Sequence, residues 1–214
     1  LNSVELIGGT AGNDSFKCHY LSLEQEPELI LKKFHPSLRQ KLRKVSRSSL
    51  EMRIAEDESD MRLFFKLNLL TRKRLGLPPQ PYRFFKTLWE TFHPHRMRLA
   101  IAEIGNTPIA GVLLFMFKDR ISAEFTTTDW NFINSNPVHF LYWETIKWGH
   151  AEGYSVFDFG RTEKSNTGLM SFKDSWGTEV VDLPHFYYPA GKNGVGRSPL
   201  LHKLAFNVFR KSPQ

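Results

Sequence analysis

A single cysteine, Cys18, in 214 residues leaves no partner for an internal disulfide, and a reducing cytoplasm is the expected compartment. No apolar run approaches the ~20 residues that a membrane-spanning helix needs. The opening LNSVELIGG lacks the basic-then-apolar order of a secretion signal. There is no GxSxG, Walker or dinucleotide fingerprint, so the common hydrolase, nucleotidase and dehydrogenase signatures are missing. His93 and His95 have H-x-H spacing without a third ligand nearby; a turn is expected there, and no metal. The chain also shows no internal repeat and no low-complexity tract.

What is present suits a packed fold. With 41% hydrophobic and 14% aromatic residues, the chain can fill one sizeable core. Its 29 Lys and Arg against 22 Asp and Glu give a formal charge of +7, which favours anionic partners such as RNA, nucleotides or acidic lipids. The excess is uneven. Between Lys32 and Arg47 (KKFHPSLRQKLRKVSR) stand seven basic residues and no acidic one. Leu38, Leu42 and Val45 fall at helical spacing, and Arg39, Arg43 and Arg47 line another face. That face is either a solvated helix surface or an anion-binding one.

The hydrophobic periodicity predicts a strand over 50–56 and helices over 58–76 and 81–92. A hairpin of 97–104 and 107–118 is followed by a third strand over 121–129. An Asn-rich loop, a helix over about 138–153 and a short buried strand at 155–160 come next. The remainder is a short helix around Phe172, a strand over 178–188, a linker and an amphipathic helix over 200–211. This order implies an α/β fold with a mixed sheet, whose last helix crosses over to a parallel strand. Residues 1–36 are expected to be a remnant or linker of a preceding subdomain, 37–190 the main domain, and 191–214 the linker and closing helix. Cys18 and His19 fall outside the expected core.

The segment GLMSFKDSWG (168–177) raises a particular question. Phe172 and Trp176 are spaced i, i+4 as an inward stripe, yet Lys173 lies beside them. Its charge either snorkels to water along the aliphatic stem or projects into a site. Other residues also divide between two roles. Asp158 either takes a proton from an attacking amine or forms a structural ion pair or turn cap, and Arg161 is placed to hold a carboxylate or phosphate. Glu124, inside a strand, is a possible general base or a solvent-facing residue. Tyr82 and Trp89 wall an acceptor cleft or pack in the core. His139 and Trp143 share one helix face and serve either as core or as cleft lining.

The stretches FHPSLRQKLRKV, RLGLPPQPYRFFKTL, IGNTPIAGVLLF and above all GYSVFDFGRTEKSNTGLMSFKDSWG resemble the GNAT acyltransferases, in their Fem-type aminoacyl and peptidyl transferase branch. The resemblance runs from about Leu23 to Tyr188. It implies a GNAT (acyl-CoA N-acyltransferase-like) fold, with a mixed antiparallel/parallel sheet flanked by helices. It further implies transfer of an aminoacyl or acyl group to a primary amine of a cell-envelope precursor, lipid- or nucleotide-linked. Lys173 would stabilise charge on the acyl carbonyl, with Phe172 and Trp176 shaping the site. An aminoacyl-tRNA is the favoured donor. The expected pyrophosphate loop, DWNFINSNPVHF, contains no glycine, which counts against acyl-CoA as a donor without excluding it. Fem-type proteins usually contain two such halves, so the chain is expected to be a carboxy-terminal portion or a shortened relative. Two other readings stand beside this one: an acyl-CoA-dependent N-acyltransferase acting on an exopolysaccharide or small amine, and a non-catalytic half that binds tRNA or precursor.

Overall fold

A computed structural model describes residues 10–11, 16–184 and 186–187. In chain order the elements are β1 (Thr10–Ala11), β2 (Phe16–Ser22), α1 (Pro27–Lys33), α2 (Pro36–Val45), β3 (Leu50–Ile54), α3 (Glu58–Arg74), α4 (Tyr82–Phe92), β4 (Met97–Ile104), β5 (Thr107–Phe117) and β6 (Arg120–Thr128). A 3-10 turn (Trp130–Ser135), α5 (Pro137–Ala151), β7 (Val156–Glu163), α6 (Thr167–Asp174), β8 (Glu179–Leu183) and β9 (Phe186–Tyr187) follow. β1 pairs with β9, and the other strands form one seven-stranded sheet ordered β3-β4-β5-β6-β7-β2-β8. Every neighbour in it is antiparallel except β6 and β7, which α5 connects as a parallel pair. The amphipathic helix expected over 200–211 lies outside the described residues.

The strands alternate between two cores. Val112 and Leu114 of β5 join the cluster under α1, α2 and α5, while Leu113 faces the cluster under α3 and α4. Helix α5 lies close on the sheet at Gly149, where a Cβ would stand 2.6 Å from Ile121 Cδ1.

One expectation is corrected here. Residues 16–34 do not stand outside the core. β2 is an interior strand between β7 and β8, Cys18 and His19 are buried, and Leu21, Leu23, Ile30 and Phe34 belong to the main cluster. The basic run divides between two helices. Pro36 forces His35 into an extended conformation (ψ 142°), so α1 ends at Lys33 and α2 begins anew.

The parallel pair fixes where a site can form. β6 and β7 pair only through Arg120–Val156, Ile121–Phe157 and Ser122–Asp158. Beyond those residues they run on to Thr128 and Glu163 without pairing to each other, so the sheet splits into a V. Bulges flank the split. On β6, Glu124 is the extra residue between the Leu113–Phe125 and Leu114–Ala123 pairs. On β7, Phe159 and Gly160 together oppose the single residue His19 of β2, and Gly160 has φ +73°.

Candidate functional site

Beside the split lies a cleft of about 810 Å³. Thr126, Thr127 and Thr128 of β6 form one wall, and Pro137, Val138 and His139 in the first turn of α5 form another. Thr126 shares a 2.8 Å hydrogen bond with the Tyr142 hydroxyl, whereas the buried Thr127 hydroxyl has no partner among the described residues. Pro137 opens α5 after Asn136, which adopts the left-handed conformation with φ 56°. The amides of a helix's first turn have no acceptor within the helix and carry the positive end of its dipole.

Cations complete this side of the cleft: Lys41 and Lys44 of α2 and Arg74 at the end of α3. None of the three has a carboxylate within ion-pairing distance among the described residues. The cations singled out in the sequence fall elsewhere. Arg43 and Arg47 line a neighbouring recess together with Lys44, and Arg39 lines neither. Leu38, Leu42 and Val45 point into the core, which places Lys41 and Lys44 on the α5 side of α2 and the arginine row on the far side.

Lys173 is buried, only 4% exposed. Helix α6 holds it against β7, where its Nζ donates to Gly160 O at 2.7 Å and to Arg161 O at 3.3 Å. Burial pulls the ammonium down to about 8, opposed by the charges of Asp158 and Glu124. The end of α6 is fixed by a tight approach at Gly177 (φ +65°), where a Cβ would meet Lys33 O at 2.9 Å. Phe172 lines the cleft itself, edge-on to His139 at 5.3 Å. The fully buried Trp176 packs against Phe34, Phe159 and Tyr142 at 5.2, 5.7 and 5.8 Å. His139 stacks over Trp176, and burial first, then Lys41, lowers its imidazole to about 4. It is therefore neutral at ordinary pH.

The carboxylates gather at the split. Asp158 accepts from Gly160 N at 2.7 Å and pairs with Arg120 at 3.4 Å, so it serves as both turn cap and ion pair, with Arg120 rather than Arg161 as its partner. Glu124 is exposed, facing solvent from its bulge, yet partial burial of its carboxyl, and then the Asp158 charge, raises it above its usual range. Arg161 is exposed and stands over the Phe16 ring at 5.0 Å.

The structure thus brings Lys173, Phe172, Trp176, His139, Asp158 and Glu124 to one region, with Arg161 at its edge. It does not bring Tyr82 there: that hydroxyl donates to Glu58 at 2.8 Å in the α3–α4 layer on the other face of the sheet. Trp143 packs edge-on against Phe34 at 5.6 Å and does not line the cleft, and Trp89 stacks on His93. Sequence reasoning missed Lys41, Lys44, the Thr126–Thr128 wall and buried His19, whose Nε2 lies 3.2 Å from Asp174. The spacing of Lys41 and Lys44 beside the apolar stripe was the available signal. Among the described residues no group of three or more His, Cys, Asp or Glu could hold a metal ion, and no helix is long and apolar enough to cross a membrane.

Residues 32–174 match the family model described as an acetyltransferase (GNAT) domain. The chain therefore belongs to the GNAT family. No curated protein sequence matches it. Among solved structures, FemX superposes with a TM-score of 0.75 at 13% identity, over 84% of this chain and 65% of FemX. The chain thus spans less than two thirds of that relative. L-PGS from Bacillus licheniformis gives a TM-score of 0.64 at 13% identity, covering 96% of this chain and 68% of the other. An aminoglycoside acetyltransferase from an uncultured soil metagenomic sample, in complex with sisomicin, gives 0.54 at 16% identity, over 65% and 95%. At these identities the likeness is one of fold.

Proposed function

We propose that this GNAT-family chain is an acyltransferase of the Fem-like kind and moves an aminoacyl or acyl group from a phosphate-bearing carrier to a primary amine of a cell-envelope precursor. A charged tRNA is the favoured carrier. The reading rests on one observation above all: a buried ammonium, Lys173, held at the place where β6 and β7 part. An ammonium has three N–H donors, and two are bonded to the Gly160 and Arg161 carbonyls. The third is left for the carbonyl oxygen of an acyl group lying between the parted strands.

The chemistry follows from that placement. The acceptor amine adds to the acyl carbon, and its oxygen becomes an oxyanion that a fixed cation in a dry site stabilises far better than water does. Glu124, with its raised affinity for protons, takes the proton from the amine. The carbonyl then re-forms as the C–O or C–S bond to the carrier breaks, and the proton held by Glu124 passes to the departing oxygen or sulfur, so that the carrier leaves as its alcohol or thiol. Lys41, Lys44 and the first turn of α5 hold the carrier phosphates. Phe172 and Trp176 keep water from the activated acyl group.

The same cationic wall also suits the pyrophosphate of an acyl-CoA, so a second reading has an observation in its favour. Incubation with labelled aminoacyl-tRNA or labelled acetyl-CoA, together with an amine-bearing peptidoglycan precursor, separates the two. Label moving to the precursor from charged tRNA alone is the expected result. Label moving from acetyl-CoA alone replaces it with the CoA-dependent enzyme, and transfer from neither overturns both.

A further inference from the structure

The carrier proposed above bears more than phosphates, and the mouth of the cleft has a place for the rest. Trp130 opens the 3-10 turn Trp130–Ser135, which is held firmly. Asp129 N donates to Ile109 O at 2.8 Å, and the Asp129 carboxylate accepts from Asn131 N at 2.9 Å. The turn sends Phe132 against the core and Ile133 into the cleft wall. Trp130 is the apolar side chain it turns outward, 53% exposed. The exposed half of the indole adds little to folding, whereas a binding surface can use it.

Its surroundings say which ligand it suits. The Arg74 guanidinium lies 4.1 Å from the centre of the indole ring, and Arg74 also lines the cleft. Leu75, exposed beside it, lines the cleft as well. An aromatic plane, a cation and an apolar side chain are therefore continuous with a cleft whose wall carries Lys41 and Lys44. A planar base bearing phosphates complements that sequence of groups, because bases stack on indole and phosphates seek ammonium and guanidinium groups.

We propose that Trp130 and Arg74 form a stacking platform for the purine of a nucleotide whose phosphates lie along Lys41 and Lys44. This rests on the nucleotide-borne donor proposed above. Adenosine is common to the two carriers, since it forms one end of CoA and the 3′ terminus of a tRNA.

Calorimetric titration tests the platform without requiring transfer. CoA, uncharged tRNA and 4′-phosphopantetheine, which has no base, are each titrated into wild type, Trp130→Ala and Trp130→Phe. The carrier that binds wild type is expected to lose about tenfold in affinity with Trp130→Ala and to recover most of it with Trp130→Phe. Any 4′-phosphopantetheine binding is expected to be unchanged, and the carrier that responds identifies the source of the adenosine. A carrier that binds wild type and Trp130→Ala equally overturns the platform while leaving the proposed transfer intact. A loss of 4′-phosphopantetheine affinity as large as that of the carrier overturns it too. Failure of both carriers to bind wild type overturns the nucleotide-borne donor and the platform together.

Discussion

Lys173 is held at a cost that depends on pH. Its ammonium titrates at about 8 in the folded chain, against an ordinary value of 10.5. Between those values the unfolded chain binds more protons than the folded one, so stability rises with pH across the window. Below it the full cost of burying the charge is present. Urea denaturation at about pH 7 and about pH 10 is therefore expected to show wild type gaining stability relative to Lys173→Met, which lacks this slope. Parallel curves for the two proteins would show that Lys173 is not held as described. Glu124 bears on the reaction rather than the fold. Its raised carboxyl predicts a rising limb of kcat/KM against pH above the ordinary carboxylate range, and Glu124→Gln is expected to lower kcat by roughly 10²–10⁴. A rate that Glu124→Gln leaves unchanged excludes it as the base.

At the scale of elements, the turn after α6 places Lys173. Gly177→Ala puts a Cβ against Lys33 O in a left-handed backbone conformation, and it is expected to cost about 1–3 kcal/mol in urea denaturation. Helix α2 acts through its charges instead. Lys44→Ala is expected to weaken binding of the carrier and to reduce the slope of log K against log salt by about one. The β4–β6 meander and the α5 crossover were legible because hairpin turns and the change of period from two to 3.6 are local signals. β2 was not. FKCHYLS has Lys17 and His19 where an alternating strand would show apolar residues, and the carboxylate 3.2 Å from the buried His19 Nε2, that of Asp174, comes from far along the chain. Which side of α2 faces the cleft was equally hidden, because its apolar stripe fixes the core side and leaves the choice between its flanks to α5. Lys173 was singled out from its aromatic neighbours, yet its bonds to the Gly160 and Arg161 carbonyls depend on a bulge that pairing alone creates.

Across the whole molecule, the sheet cannot do without its first long strand. β2 pairs with β7 on one side and β8 on the other, and β7 carries the carbonyls that hold Lys173. A chain beginning at residue 37, where the sequence suggested a boundary, is expected to lose cooperative thermal unfolding, because β8 then has no partner and α5 loses Leu21, Leu23, Ile30 and Phe34 from its core. Persistence of a sharp transition would contradict that placement. All these parts converge on one cation beside a cleft at a split in the sheet. The most direct test is the single-turnover rate of acyl transfer to an amine, from whichever carrier binds, in wild type and Lys173→Met with the donor saturating. A loss of about 10²–10³ in rate with donor affinity unchanged is the predicted result. An unchanged rate would contradict the account.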